Sequence, residues 1–255
     1  MRTKKVTFEG AFGDQLSARI ERPDDQEVTT YALFAHCFTC SKNLRPVTHI
    51  SETLTDRGIG VLRFDFTGLG ESEGDFSDTN FSSNIDDLVE AATFMESQFH
   101  APEILIGHSL GGAAVIQAAH RISSSKAVAT IAAPATPEHV KKNFGPDLEL
   151  IESQGKAEVT LAGRNFTIKK QFLDDLEEAR MDARIKNLDR ALMIFHSPVD
   201  NIVGIDNASK IYQKARHPKS FVSLDDADHL LMDEKDSIYV AEVLASWASR
   251  YIKLA

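Results

Sequence analysis

Ser109 stands between glycines in Gly107-His108-Ser109-Leu110-Gly111, with Gly112 beside it. An apolar run, Glu103-Ile104-Leu105-Ile106, precedes it and an Ala-rich stretch, Ala113 to Ala119, follows. Strand, sharp glycine turn and helix in that order make G-x-S-x-G a nucleophile elbow, which exposes a strained serine at the carboxyl end of a strand. A hydroxyl held this way is built to attack an electrophilic carbon, usually a carbonyl. An ordinary capping serine in a βα turn is the bland alternative, and it predicts no histidine and acid at suitable later positions.

A serine hydroxyl needs a base to take its proton and a third group to fix that base's tautomer. In an elbow architecture the chain order is Ser, then Asp or Glu, then His. His229 lies in Asp225-Asp226-Ala227-Asp228-His229-Leu230, after the last apolar run and before the final helical pattern, and is the expected general base. His196 and His217 also lie downstream, but neither follows that last run. Asp200 falls in the loop after Ala191-Leu192-Met193-Ile194-Phe195 and is the expected acid. Asp225, Asp226 and Asp228 are rivals that would require a tight fold-back, and Asp206 would sit in the following helix. An oxyanion hole needs two backbone N–H groups aimed at the charge that develops in the transition state. Leu110, after the nucleophile, supplies one; Phe38, in the loop His36-Cys37-Phe38-Thr39-Cys40-Ser41-Lys42, supplies the other. The expected chemistry needs no metal and no organic cofactor.

These residues require a scaffold of strands alternating with helices. Val6 to Glu9 and Leu16 to Glu21 read as an antiparallel hairpin turning at Gly13-Asp14. Further strands are expected at Tyr31 to Ala35, Gly60 to Asp65, Ile104 to Ile106, Ala127 to Ala132, Ala191 to Phe195 and Ser220 to Leu224. Helical periodicity marks Val47 to Arg57, Asn84 to Phe99, Gly204 to Ala215 and Ile238 to Ile252. The alternation predicts an α/β fold, a mostly parallel sheet with helices on both faces, in a single domain over residues 1–255. Pro134 to Arg190 breaks it: no sheet strand is evident, but a small hairpin around Gly163-Arg164-Asn165 and a helix bearing Phe172, Leu173, Leu176 and Ala179 are. The stretch reads as a small inserted cap over the carboxyl ends of the strands, where open α/β sheets bind ligands; a packing appendage or dimer contact is the alternative.

Lys+Arg 28 against Asp+Glu 38 gives a net charge of -10, which disfavours nucleic acid and anionic membranes as partners. The start of the chain lacks the apolar core of a signal peptide, and no apolar run would cross a bilayer, so a cytoplasmic protein acting on a small ester or acyl substrate is expected. Two cysteines do not make a disulfide framework. Their C-x-x-C spacing, Cys37 to Cys40, suits redox chemistry, but it occupies the oxyanion loop and reads first as structural.

Gly-His-Ser-Leu-Gly-Gly, Ser197-Pro198-Val199-Asp200, Asp228-His229 and the loop Phe64-Asp65-Phe66-Thr67-Gly68-Leu69-Gly70-Glu71-Ser72 resemble the α/β-hydrolase superfamily over essentially the whole chain. Three stretches, His36 to Lys42, Arg63 to Ser83 and Ala215 to Leu231, resemble more narrowly the hydrolases often fused in front of an OsmC-like peroxide-reductase domain. Where many superfamily members carry His-Gly in the oxyanion loop, this chain carries His36-Cys37, as the narrower group does. The resemblance implies a serine hydrolase of carboxylic esters working through an acyl-enzyme, and a functional link to an OsmC-like protein, with no OsmC-like domain expected after the final helix. A thioesterase, amidase or peptidase would use the same triad. A non-catalytic binding module or a redox-linked partner are the readings of other classes. The serine at the elbow argues against epoxide-hydrolase or dehalogenase chemistry, which takes an aspartate there.

Overall fold

The computed structural model describes residues 1–24, 28–161 and 163–253. The chain opens with an antiparallel pair, β1 (Arg2–Glu9) and β2 (Gln15–Arg22), whose register closes at Glu9 opposite Gln15. β3 (Tyr31–Ala35), α1 (Arg45–Asp56), β4 (Gly60–Phe64), α2 (Phe81–Gln98), β5 (Ile104–His108), α3 (Leu110–Ala118) and β6 (Ala127–Ile131) then alternate. After a long excursion come β9 (Ala191–His196), α7 (Asp206–Lys214), β10 (Lys219–Ser223) and α8 (Glu234–Ala248). Eight strands form one sheet in the order β1-β2-β4-β3-β5-β6-β9-β10. The β1–β2 and β2–β4 pairs are antiparallel, and the remaining pairs are parallel.

Every residue of β3, β4, β5, β6 and β9 is buried, which is why these strands are continuous apolar runs rather than alternating ones. Successive side chains still face opposite layers. Leu33, Leu62 and Leu105 join Leu88 of α2, Val115 of α3 and Ile211 of α7. Phe34, Val61 and Ile106 join Val47 and Leu54 of α1 and Val240 and Leu244 of α8. Each large aliphatic side chain buried this way contributes about 1.5–3 kcal/mol.

Three helix starts lie ahead of where periodicity places them, α1 at Arg45 by two residues and the other two by more. α2 begins at Phe81 because Asn80 accepts from the Ser83 amide (2.8 Å) while Ser83 Oγ accepts from the Asn80 amide (2.9 Å), a reciprocal cap. α8 begins at Glu234, capped by the Asp233 carboxylate, because its first turn is charged and invisible to an apolar pattern.

The excursion between β6 and β9 holds a 3₁₀ segment (Pro137–Phe144), α4 (Asp147–Gln154), the hairpin β7 (Lys156–Leu161) and β8 (Arg164–Lys169), α5 (Lys170–Glu178) and α6 (Met181–Lys186). Its hairpin and helix fall where alternation and periodicity put them. α5 docks on the start of α2: Gln171 Nε2 donates to the Thr79 carbonyl and its Oε1 accepts from Asn80 Nδ2, at 2.8 and 2.7 Å. Ser82 hydrogen-bonds Asp175 through both its amide and its hydroxyl.

Candidate active site

β5 delivers the serine. Ser109 has φ 53° and ψ −124°, a left-handed conformation that costs an ordinary residue of order 1–3 kcal/mol. It is held by the Ser109 amide donating to the Ile131 carbonyl of β6 at 2.8 Å. The flanking glycines are there for close approach. A Cβ on Gly107 would lie 2.2 Å from the Gly111 carbonyl oxygen, and one on Gly111 would lie 2.5 Å from both the Ala35 and His36 carbonyl oxygens. The elbow therefore presses directly on the end of β3 and the loop that follows it.

β10 and β9 deliver the other two groups at the same edge of the sheet. His229 Nε2 is 3.1 Å from Ser109 Oγ, and His229 Nδ1 is 2.7 Å from Asp200 Oδ2. Asp200 Oδ1 accepts from the amides of Ile202 and Val203, both at 2.9 Å. Burial pushes the Asp200 carboxyl up, but the His229 hydrogen bond and the Val203 and Ile202 amides outweigh it and hold the group below the ordinary carboxylate range. The three side chains that spacing and order single out are thus brought into one contact chain, with the Asp200 side chain buried and Ser109 partly open to solvent. Asp225 and Asp228 serve the turn instead: Asp225 accepts from Ser223 Oγ, and Asp228 accepts from the Leu230 and Met232 amides.

Three other histidines surround this chain, and each spends a ring nitrogen on a backbone carbonyl. His108 Nε2 donates to the carbonyl of His229 (2.7 Å), His196 Nε2 to Val203 (2.6 Å) and His36 Nδ1 to Cys37 (2.8 Å). Burial is the main cause that lowers all three below the usual histidine range, His108 to about 3. They are neutral struts. Sequence order passes over His108 because it looks like the variable position of the elbow; its only signal is adjacency to the serine.

Phe38 and Leu110 line one cavity of about 10 Å³, room for about one water, together with Cys37, Phe66 and Asn84. The Phe38 ring packs on Phe76, Phe144 and Phe172, at centroid distances of 5.7, 6.3 and 5.5 Å, so the 137–178 stretch presses on this loop. Cys37 and Cys40 are joined in a disulfide. The expectation that two cysteines give no disulfide framework is corrected to that extent: one local bridge forms, because the turn brings the two Cα atoms within 5.2 Å.

A charged network missed by motif reading secures the far end of the same loop. Lys42 is fully buried, and its Nζ donates to Asp65 Oδ2 (2.5 Å) and Glu71 Oε2 (2.7 Å). Asp65 also accepts from the Lys42 amide (2.7 Å) and the Glu71 amide (2.9 Å). Arg63 donates to the Lys42 carbonyl and pairs with buried Glu21. Hydrogen bonding to Lys42 takes Glu71 down to about 2. Lys42, Asp65 and Glu71 fall in the connections after adjacent strands, β3 and β4, inside the two loops that carry the family resemblance, but their pairing leaves no pattern in the sequence. Among the described residues no group of three or more His, Cys, Asp or Glu side chains is arranged to hold a metal ion. A larger groove, about 920 Å³, lies elsewhere, bordered by Lys126, Arg190 and Arg250, and contains none of the elbow residues.

An elbow serine, a histidine and an aspartate at the carboxyl edge of a mostly parallel, helix-covered sheet define the architecture of an α/β-hydrolase. A family model described as serine aminopeptidase, S33, matches residues 42–160. The crystal structure of the esterase domain of a Rhodothermus marinus protein is 51% identical, covering 98% of this chain and 99% of that one, with a TM-score of 0.82. Est1E of Butyrivibrio proteoclasticus, solved with ferulic acid bound, is 20% identical over 96% of this chain and 99% of its own, with a TM-score of 0.84, a likeness of fold. The protein YfhR of Salmonella typhimurium is 26% identical over 182 residues, 69% of this chain, and the chain spans 57% of that relative's length. The chain belongs to the α/β-hydrolase superfamily. No helix among the described residues is long and apolar enough to cross a membrane.

Proposed function

We propose that the protein is a serine carboxylesterase. Ser109 Oγ attacks the ester carbonyl while His229 Nε2 takes its proton, and Asp200 holds His229 in the tautomer whose Nδ1 carries hydrogen. The Phe38 and Leu110 amides receive the oxyanion. The protonated His229 passes its proton to the leaving alcohol, an acyl-enzyme remains, and water activated by the same histidine releases the acid. The observation that carries this reading is the unbroken contact chain, 3.1 Å from Ser109 to His229 and 2.7 Å from His229 to Asp200. The esterase domain at 51% identity supports the choice of esters. The segment from 134 to 190 acts as a cap whose Phe and Leu side chains favour apolar acyl groups.

The match to a serine aminopeptidase model favours amides as the second reading. A panel of p-nitrophenyl esters, acyl-CoA thioesters and aminoacyl amides separates the two, since fold and triad are common to all. The highest kcat/KM is expected on esters. Ser109→Ala should abolish turnover of short p-nitrophenyl esters with circular dichroism unchanged; retained turnover in that variant overturns the proposal.

A further inference from the structure

Cys37 and Cys40 bracket the proposed oxyanion donor. The four-residue turn Cys37-Phe38-Thr39-Cys40 is closed twice, by the disulfide and by the Cys40 amide donating to the Cys37 carbonyl at 3.0 Å. Inside the closure Thr39 adopts φ 61°, a left-handed conformation that a β-branched residue avoids unless its surroundings impose it. Beyond the bridge, the turn is held from outside by the His36 ring on the Cys37 carbonyl (2.8 Å), the Arg164 guanidinium on the Thr39 carbonyl and the Phe38 ring in its aromatic cluster. The strong Lys42 anchor is attached after Cys40, so it fixes the end of the loop but not the direction of the Phe38 amide. Cys37 is buried, whereas Cys40 is partly exposed.

We propose that Cys37–Cys40 is a reversible redox site that aims the Phe38 amide, so that a dithiol reductant lowers the turnover number and a disulfide oxidant restores it. This rests on the esterase reading, in which the Phe38 N–H receives the oxyanion. A thiolate of the dithiol attacks Cys40 Sγ, forming a mixed disulfide and expelling Cys37 as thiolate. The second thiol of the reductant then attacks its own sulfur in that mixed disulfide and releases Cys40. Two electrons and two protons pass to the cysteine pair, and the dithiol becomes a cyclic disulfide. With the bridge open, Thr39 relaxes toward negative φ and the peptide between Cys37 and Phe38 turns with it. The donor is weakened rather than deleted, because the His36 bond to the Cys37 carbonyl, Arg164 and the Phe38 ring still hold the turn. Deleting an oxyanion donor outright costs about 10²–10³ in kcat, so a loss of roughly tenfold or more is expected here, with KM changed less than about twofold.

The test uses the whole chain, purified under oxidising conditions and assayed on a short p-nitrophenyl ester before and after dithiothreitol. Thiols are counted with Ellman's reagent, and circular dichroism is recorded throughout. Turnover and fluorophosphonate labelling of Ser109 in the oxidised protein come first, since their absence is a failure of the esterase reading itself. In an active protein the proposal expects two thiols released, kcat reduced with KM and dichroism retained, and recovery with oxidised glutathione. Cys37→Ser/Cys40→Ser should sit at the reduced rate and ignore both reagents; if it does not fold, the wild-type titration decides. Unchanged kcat after two thiols appear, a bridge that dithiothreitol cannot open in the folded protein, or loss of dichroism on reduction would each overturn it.

Discussion

Replacing Asp200 with Asn tests the role of the acid through a constraint visible in its hydrogen bonds. Asp200 Oδ1 accepts from two amides, Ile202 and Val203, and Oδ2 accepts from His229 Nδ1. An asparagine can keep both amides only by placing its oxygen at the Oδ1 position, which puts its NH₂ against His229 Nδ1. Nδ1 must then accept, the ring proton moves to Nε2, and Nε2 faces Ser109 Oγ as a donor that cannot take the serine proton. Turning the amide over would restore the tautomer but leave two backbone N–H groups unpaired, at about 1–3 kcal/mol each. That penalty, about 2–6 kcal/mol in all, is comparable to the barrier increase of about 5.5 kcal/mol that a wrong-tautomer histidine produces, a fall of about 10⁴ in kcat. Asp200→Asn is therefore expected to lose about four orders of magnitude in kcat on a short ester with little change in KM or in thermal midpoint. The assay is steady-state hydrolysis, with circular dichroism as the check on folding. A variant whose kcat stays within about tenfold of the parent refutes the assignment of Asp200 as the group that sets the His229 tautomer.

The buried neutral histidines are expected to give the protein a steep acid dependence. His36, His108 and His196 are all held below the usual histidine range, so between about pH 6.5 and the folded value, about 3 for His108, the unfolded chain binds protons that the native state does not. Stability falls as pH drops through that window, by about 1.4 kcal/mol per pH unit for His108 alone. His108→Gln, which keeps a donor toward the His229 carbonyl, should flatten the slope by that amount in urea titrations from about pH 7 to about pH 4; an unaltered slope counts against His108 as one of the sources. Lys42→Met strips the charge partner from fully buried Asp65 and should cost about 3–5 kcal/mol in the same titrations at neutral pH. A cost below about 1 kcal/mol would mean that the Lys42 and Glu71 amides suffice to hold Asp65.

Most of the sheet and two of the three site side chains were legible in the sequence for one physical reason. Parallel strands buried on both faces are short uninterrupted apolar runs, so Tyr31–Ala35 and Ala191–His196 announce themselves, and the chemistry follows at their carboxyl ends. Ser109 and Asp200 follow such runs, whereas His229 follows β10, a short half-exposed edge strand, and is singled out by its place after the last strand. The helix starts at Phe81 and Glu234 were not legible, because caps and charged first turns carry no apolar period. The Lys42, Asp65 and Glu71 network was invisible as well. A buried lysine is written with the same letter as a solvated one, and only the pairing of two distant connections distinguishes them. The bond between Cys37 and Cys40 likewise depends on a turn that spacing alone does not specify.

One contact bears on how this site is supported. β10 is one edge of the sheet and its residues are half-open to solvent, so the histidine follows a less supported strand than those that precede Ser109 and Asp200. The hydrogen bond from His108 to the carbonyl of His229 moors it to β5, a central, fully buried strand that also carries Ser109. Nucleophile and base therefore share one foundation in β5, the nucleophile through the chain itself and the base through this hydrogen bond to its backbone.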